Sequence, residues 1–417
     1  MVITRRRAEG SITVPASKSQ TIRALLIALM ARGKSTIRHP LYSSDTISCM
    51  NALETLGATL IRDEDGTIHV DSAHLSNEDK EILIDCGNSG TTTALLIPIL
   101  ALSGKTYTVT GDEQLKKRPF LPLVKALRDL GAEVESEGGF PPIRIKGPIK
   151  GGKTVIECRS SQYLSGLLLA LPMADGDSTV TCSLLYEKPY VRMTEKWLKD
   201  ERIDFTLSDD LMVSEVRGGQ KYKAIDAFIE GDFSSASFFF VLAAIHGTAV
   251  TVSGLDRDST QGDKRILEVL EKMGCTVTWD GMDVTVTGPE RLNGGSFDIN
   301  DIPDALPALS VAACFASGVT EFTNVAQARI KETDRIKVMH DELEKLGAEI
   351  EERPDGLVIH GHGSLRGGEV SGHRDHRVIM ALSVAGTRTE NDTTIDSTES
   401  AAVTFPTFYT LLRELQK

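Results

Sequence analysis

The chain has 417 residues, with 46 Lys and Arg against 59 Asp and Glu, a formal net charge of −13 at pH 7. Hydrophobic residues make up 41% and charged residues 25%, which excludes a disordered chain and, at this length, suggests two or three domains with a large buried core. The acidic balance argues against a nucleic-acid partner, and no apolar run approaches the ~20 residues needed to span a bilayer.

In chain order, residues 2–14 (VITRRRAEGSITV) read as a hairpin. A polar stretch, SKSQ (17–20), then opens the apolar run Ala24–Ala31. Arg5, Arg6 and Arg7 precede that run, as they would in a secretion signal. A strand-like segment, Ser11–Val14, and Pro15 intervene, however, and similar apolar runs recur later, so it reads as a core helix. The same polar opening returns as GNSGT (87–91), RSSQ (159–162), GDFSS (231–235), NDIPD (300–304) and RDHR (374–377). Ser, Asn, Asp and Gly are helix-starting residues, and each opening leads through an apolar helix to a Thr/Val-rich strand.

A second motif marks helix ends. Leu-x-x-Leu-Gly-Ala occurs at Leu53–Ala58, Leu127–Ala132 and Leu343–Ala348, with a variant at Leu270–Cys275. From Gly57 to Gly131 to Gly274 to Gly347 the steps are 74, 143 and 73 residues, so the middle step spans two periods. Trp197–Ile203 fills the gap as a degraded copy, and Phe405–Gln416 is a sixth. Hairpin signals follow at 58–70, 132–146, 275–287 and 348–360. The circle closes if the N-terminal residues pack with the last unit. That predicts one discontinuous domain, 1–15 with 229–417, and an inserted domain, 16–228.

Six helix N-termini carry free N–H groups and positive dipole ends, which suit anions if they converge. The first three openings offer Lys18, Ser19, Asn88, Ser160, Ser161 and Gln162; the last three carry Asp232, Asp304, Asp375, His376 and Arg377. Anion donors in one half and carboxylates in the other suit proton movement on an anionic substrate. KETDR (331–335), if helical, sets Lys331 and Arg335 on one face beside Glu332, as an anion clamp or as a solvated helix face. Arg118 stands on a rigid Arg-Pro step. The histidines at 360, 362, 373 and 376 form no zinc motif, GKST (33–36) lacks the first glycine of a P-loop, and no dinucleotide fingerprint is present. Six cysteines without a CxxC pair point to a reducing, cytoplasmic setting.

PASKSQTIRALL (15–26), GNSGTT (87–92), KRP (117–119), RSSQYL (159–164), IPDA (302–305), KETDR (331–335) and DHR (375–377), in this order, resemble the 5-enolpyruvylshikimate-3-phosphate synthases of the enolpyruvyl transferase family. The resemblance implies a two-domain, inside-out α/β barrel of six βαβαββ repeats, three per domain, with an active site in the interdomain cleft. It implies enolpyruvyl transfer from phosphoenolpyruvate to the 5-hydroxyl of shikimate 3-phosphate, by addition and then elimination of phosphate. No cofactor and no metal are implied. The partners would be these small molecules alone, bound by a monomer, with no nucleic acid or membrane.

Carried over residue by residue, the catalytic group would be Lys18, Asp304, Glu332 and His376. Asp304 would take the hydroxyl proton and Glu332 would serve the methylene carbon. Shikimate 3-phosphate would lie on Lys18, Ser19, Arg23, Ser160, Ser161, Gln162, Tyr190, Asp304, Gln327 and Lys331. Phosphoenolpyruvate would lie on Lys18, Asn88, Gly90, Thr91, Arg118, Gln162, Arg335 and Arg377. The sequence departs from the family pattern at Glu187 (usually serine), Gln327 (usually asparagine), Ala94-Leu95 (often Arg-Pro) and Val403 (usually lysine). An acid at 187 would repel a phosphate, so that loop is expected to run differently, and Arg374 is the expected substitute for the lysine. The alternatives are UDP-N-acetylglucosamine enolpyruvyl transferase, disfavoured by the loop GDEQLKKRP (111–119) without cysteine, and a non-catalytic anion-binding or RNA-processing protein on the same repeat.

Overall fold

The structure, a computed structural model, describes residues 1–75 and 80–416. It separates into two compact units, Met1–Pro15 with Glu230–Lys417 and Ala16–Ile229, each with its own hydrophobic core. The twelve helices among the described residues are α1 (Lys18–Met30), α2 (Ser44–Thr55), α3 (Gly90–Leu100), α4 (Leu121–Asp129), α5 (Ser161–Ala170), α6 (Lys188–Asp200), α7 (Phe233–His246), α8 (Ile266–Lys272), α9 (Leu306–Cys314), α10 (Arg335–Lys345), α11 (His376–Gly386) and α12 (Phe408–Leu415).

The odd-numbered helices are apolar on every face and almost wholly buried; α7 reads FSSASFFFVLAAIH and only its last residue is less than fully buried. A helix without a polar face belongs inside a core. The even-numbered ones are amphipathic or short and lie outside. Within the inserted unit α3 and α5 touch closely: a side chain at Gly166 would strike the Ala94 carbonyl at 2.4 Å. Glycine here lets two buried helices approach backbone to backbone.

Each repeat runs entry strand, buried helix, parallel strand, outer helix, antiparallel hairpin. Strand 82–85 lies parallel to 106–110, which pairs antiparallel with 140–146, and 133–137 is outermost. The sheet 152–158, 178–185, 213–216, 205–207 repeats this order. Strands 34–38, 68–71 and 59–62 do too, and their entry strand, 226–228, comes from the far end of the unit. The helix-ending glycines Gly57, Gly131, Gly274 and Gly347 have φ between 94° and 103°, a conformation glycine adopts without strain. In the degraded copy Arg202 takes a left-handed φ of 57°.

Residues 2–14 do not form the expected hairpin. Val2–Ile3 pairs antiparallel with Thr393–Thr394, while Gly10–Thr13 runs parallel to Val250–Ser253 in another sheet. Both segments fill places at the sheet edges of other repeats, and those partners win over a local turn. The Glu9 amide donates to the Leu415 carbonyl at 2.9 Å, so the two ends of the chain are neighbours.

Candidate active site

In the inserted unit the polar openings lie at the N-termini of α1, α3 and α5. Lys18 begins α1, and its Nζ pairs with Asp45 Oδ2 at 3.1 Å; their side chains are 12% and 5% exposed. Asp45 sits in the first turn of α2, where the helix dipole favours an acid. Sequence reasoning missed it, because an acid in a first turn looks like ordinary capping. Arg23, one turn further along α1, is buried. Its Nε donates to Thr194 Oγ1 at 2.9 Å, and its Nη atoms donate to the carbonyls of Ser19 (3.0 Å) and Tyr190 (3.1 Å). Among the described residues no carboxylate forms an ion pair with it. Burial lowers its pKa to about 10, so it stays cationic at neutral pH. A buried cation held only by neutral oxygens is a site for an anion.

Ser89 caps α3 by accepting from the Thr92 amide. Asn88 Nδ2 donates to Asp112 Oδ2 (2.8 Å) and Gln114 Oε1 (2.6 Å), and Asn88 Oδ1 accepts from Arg118 Nη2 at 3.0 Å. The asparagine therefore orients the arginine. Arg118 lies directly over Gly90: a side chain there would meet Arg118 Nη1 at 2.3 Å. At α5, Ser160 accepts from the Gln162 amide, and Gln162 Nε2 donates to Thr91 Oγ1 at 2.9 Å, tying α5 to α3. Ser161 donates from both its amide (3.2 Å) and its hydroxyl (2.9 Å) to Glu187 Oε2. The acid at 187 is buried against this serine.

The discontinuous unit gathers a different set. KETDR is not helical from its start. Ala326–Ile330 is a 3-10 turn, and α10 begins only at Arg335, because Asp334 serves as its N-cap and accepts from the Lys337 amide. The supposed i, i+4 face therefore does not exist, yet the residues still converge. Arg335, 1% exposed, donates from Nε to Asp375 Oδ2 (2.9 Å) and from Nη1 to Asp304 Oδ1 (2.9 Å). Its Nη2 donates to Glu332 Oε2 (2.6 Å) and Asp375 Oδ1 (3.2 Å). Asp304 Oδ2 pairs with Arg377 Nη2 at 2.9 Å, and Lys331 Nζ lies 3.9 Å from Asp304 Oδ1. Asp375 also caps α11 by accepting from the Arg377 amide. Three carboxylates and three cations are thus locked together, and the role of Asp375 as their anchor was not read from the sequence.

The charges set the chemistry. Burial pushes the Asp304 carboxyl up, but Arg377, Lys331 and Arg335 outweigh it and hold the group far below the usual carboxylate range. Burial likewise opposes ionisation of Asp375, and Arg335 overrides it. Burial, reinforced by Arg377 and Arg335, pushes His376 down to about 3 against the pull of Glu332 and Asp375. Its imidazole is neutral at pH 7, and its buried Nε2 has no hydrogen-bond partner. Gln327 Nε2 donates to the Asn300 carbonyl, and its Oε1 is buried without a partner. Arg374, in a left-handed conformation, is exposed just before Asp375.

Comparison with known proteins follows the same lines. A family model described as EPSP synthase (3-phosphoshikimate 1-carboxyvinyltransferase) matches residues 2–412. A 3-phosphoshikimate 1-carboxyvinyltransferase of Acetivibrio thermocellus is 44% identical over 412 residues, covering 98% of this chain and 96% of the relative. The enzyme of that name from Methanocaldococcus jannaschii is 38% identical over 419 residues, with 98% and 96% covered. The structure of EPSP synthase from Acinetobacter baumannii superposes with a TM-score of 0.83 at 30% identity, covering 100% of this chain and 98% of that one. The repeats, the motifs they carry and these likenesses agree: the chain belongs to the EPSP synthase (3-phosphoshikimate 1-carboxyvinyltransferase) family.

Proposed function

We infer that the chain transfers the enolpyruvyl group of phosphoenolpyruvate to shikimate 3-phosphate, as a transferase of the shikimate pathway. In this reading Arg23 and Ser19 hold the shikimate carboxylate, and Ser160, Ser161 and Tyr190 hold its phosphate with help from Lys331 and Gln327. Gln162 packs on the ring. Lys18, Asn88, Gly90, Thr91, Arg118, Arg335 and Arg377 hold phosphoenolpyruvate. The guanidinium of Arg23, held by neutral oxygens alone, supports the first assignment, since an incoming carboxylate supplies the counter-charge it lacks.

The observation that carries the reading is the Asp304 carboxylate facing Arg377, Arg335 and Lys331. With all three cations on it, Asp304 is ionised but a weak base. Phosphoenolpyruvate brings a phosphate and a carboxylate that compete for the same cations. As they turn to the substrate, the Asp304 pKa rises towards that of an ordinary carboxylate and it can take the 5-hydroxyl proton. The oxygen adds to C2, and Glu332, which takes up a proton from solvent once Arg335 turns to the substrate, delivers that proton to the methylene carbon. In the elimination Glu332, now a carboxylate, takes a proton back from the new methyl group as the bond between C2 and the bridging oxygen breaks; phosphate leaves with that oxygen and carries off the proton held by Asp304. His376, neutral, takes part as a hydrogen-bonding group and not as a cationic acid. The six free cysteines are all buried, which fits a reducing compartment, and the cytoplasm is the proposed place of action.

The test is phosphate release from phosphoenolpyruvate with each candidate acceptor. Release with shikimate 3-phosphate and none with UDP-N-acetylglucosamine is expected. The reverse pattern would overturn the reading.

A further inference from the structure

The N-terminus of α5 already holds an anion, and it belongs to the chain. Glu187 is 2% exposed, and its Oε2 accepts from the amide and the hydroxyl of Ser161. It is the residue before α6, in a left-handed conformation with φ 56°. Few residues other than glycine and asparagine rest there without strain. The Tyr190 amide donates to its carbonyl at 3.1 Å, which helps fix the backbone that aims the carboxylate at α5. The two donors it occupies are those a phosphate would seek at a helix N-terminus. Two anions cannot share them at hydrogen-bonding distance without strong repulsion.

We propose that Glu187 is an intramolecular competitor for the phosphate of shikimate 3-phosphate: it fills the Ser161 donors in the free protein, and the phosphate takes them only by displacing the carboxylate. The proposal rests on the reading that Ser160 and Ser161 receive that phosphate. A phosphate dianion carries more charge than a carboxylate and wins the donors, at the cost of moving the buried acid off them. Affinity for the phosphorylated acceptor is therefore held down, while unphosphorylated shikimate, which makes no claim on these donors, is unaffected. Glu187 thereby sets how strongly the site prefers the phosphorylated acceptor. A serine at this position would carry no charge and would leave the donors free.

The experiment is calorimetric binding of shikimate 3-phosphate and of shikimate to the full chain and to its Glu187→Gln and Glu187→Ser variants. Glu187→Gln keeps an acceptor oxygen for Ser161 and removes the charge. Both variants are expected to bind shikimate 3-phosphate about two- to thirtyfold more tightly, the range of an anion's interaction with a helix N-terminus. Shikimate binding should not follow. Unchanged or weaker binding of shikimate 3-phosphate by both variants overturns the proposal, as does an equal change for both ligands, the mark of a purely structural role. If the unaltered chain binds no shikimate 3-phosphate at all, the underlying assignment of Ser160 and Ser161 falls, and the proposal with it.

Discussion

Arg23 and Arg335 are both buried cations, but their surroundings make opposite predictions. Arg335 is neutralised by Asp304, Glu332 and Asp375. Removing one partner of such a cluster leaves the others uncompensated and costs about 3–5 kcal/mol. Asp375→Ala also removes the α11 cap, so it is expected to lower stability by at least that much in urea unfolding. Arg23 has no counter-ion among the described residues, and its charge is a liability in the free protein. Arg23→Met is expected to leave the melting temperature unchanged or raise it, while the KM for shikimate 3-phosphate rises more than tenfold, roughly the worth of a charge-assisted pair. A loss of stability in Arg23→Met would contradict this account. Gly90→Ala acts through a neighbour. The added carbon strikes Arg118 Nη1, so the arginine must leave its place beside Asn88. The KM for phosphoenolpyruvate should rise while that for shikimate 3-phosphate stays put, which steady-state kinetics with each substrate varied in turn would measure.

At the scale of elements, what was legible in the sequence is what is local. The six polar openings do begin buried helices, and the glycines at 57, 131, 274 and 347 do end outer ones, because caps and left-handed stops are decided within a few residues. What depended on distant partners was not legible. The N-terminal strands look like a hairpin until the edges at 393–394 and 250–253 claim them. KETDR looks helical until Asp334 proves more useful as a cap. Asp45 acquires meaning only from Lys18, 27 residues away. Helix ends also carry a pH prediction. His246 lies at the end of α7, and burial, with Arg388, Arg5 and Arg7 adding to it, pushes it down to about 4. An unfolded histidine titrates near 6.5, so between these values the unfolded chain binds the extra proton. The stability is fully present above about pH 6.5 and is lost as pH falls towards 4, by up to about 1.4 kcal/mol per pH unit for each such histidine. His246→Gln should flatten the slope of unfolding free energy between pH 6.5 and 5, measured by urea titration.

At the scale of the molecule, the insertion follows from strand bookkeeping. The unit Ala16–Ile229 contains its own closing strand, 226–228, paired with 34–38, and a core drawn from its own residues. Residues 16–229 expressed alone should therefore fold, with a cooperative thermal transition. A non-cooperative melt with no near-ultraviolet circular dichroism would contradict this. The net charge of −13 misleads about ligands in the same way. It sums the whole chain, whereas the decisive cations are buried singly or tied to carboxylates: Arg23 without an anion, Lys18 on Asp45, Arg335 and Arg377 on Asp304. In the proposed assignment, substrates carrying both phosphate and carboxylate meet these groups and not the average surface.

In the proposed reaction the acceptor hydroxyl adds to C2, and the bond from C2 to the bridging oxygen is then the one that breaks. This order is tested most directly with phosphoenolpyruvate carrying oxygen-18 at its bridging oxygen, together with shikimate 3-phosphate and the purified chain. Every released phosphate is expected to carry the label and the enolpyruvyl product to carry none, as mass spectrometry would read. Unlabelled phosphate, with the heavy oxygen retained on the three-carbon unit, would contradict it.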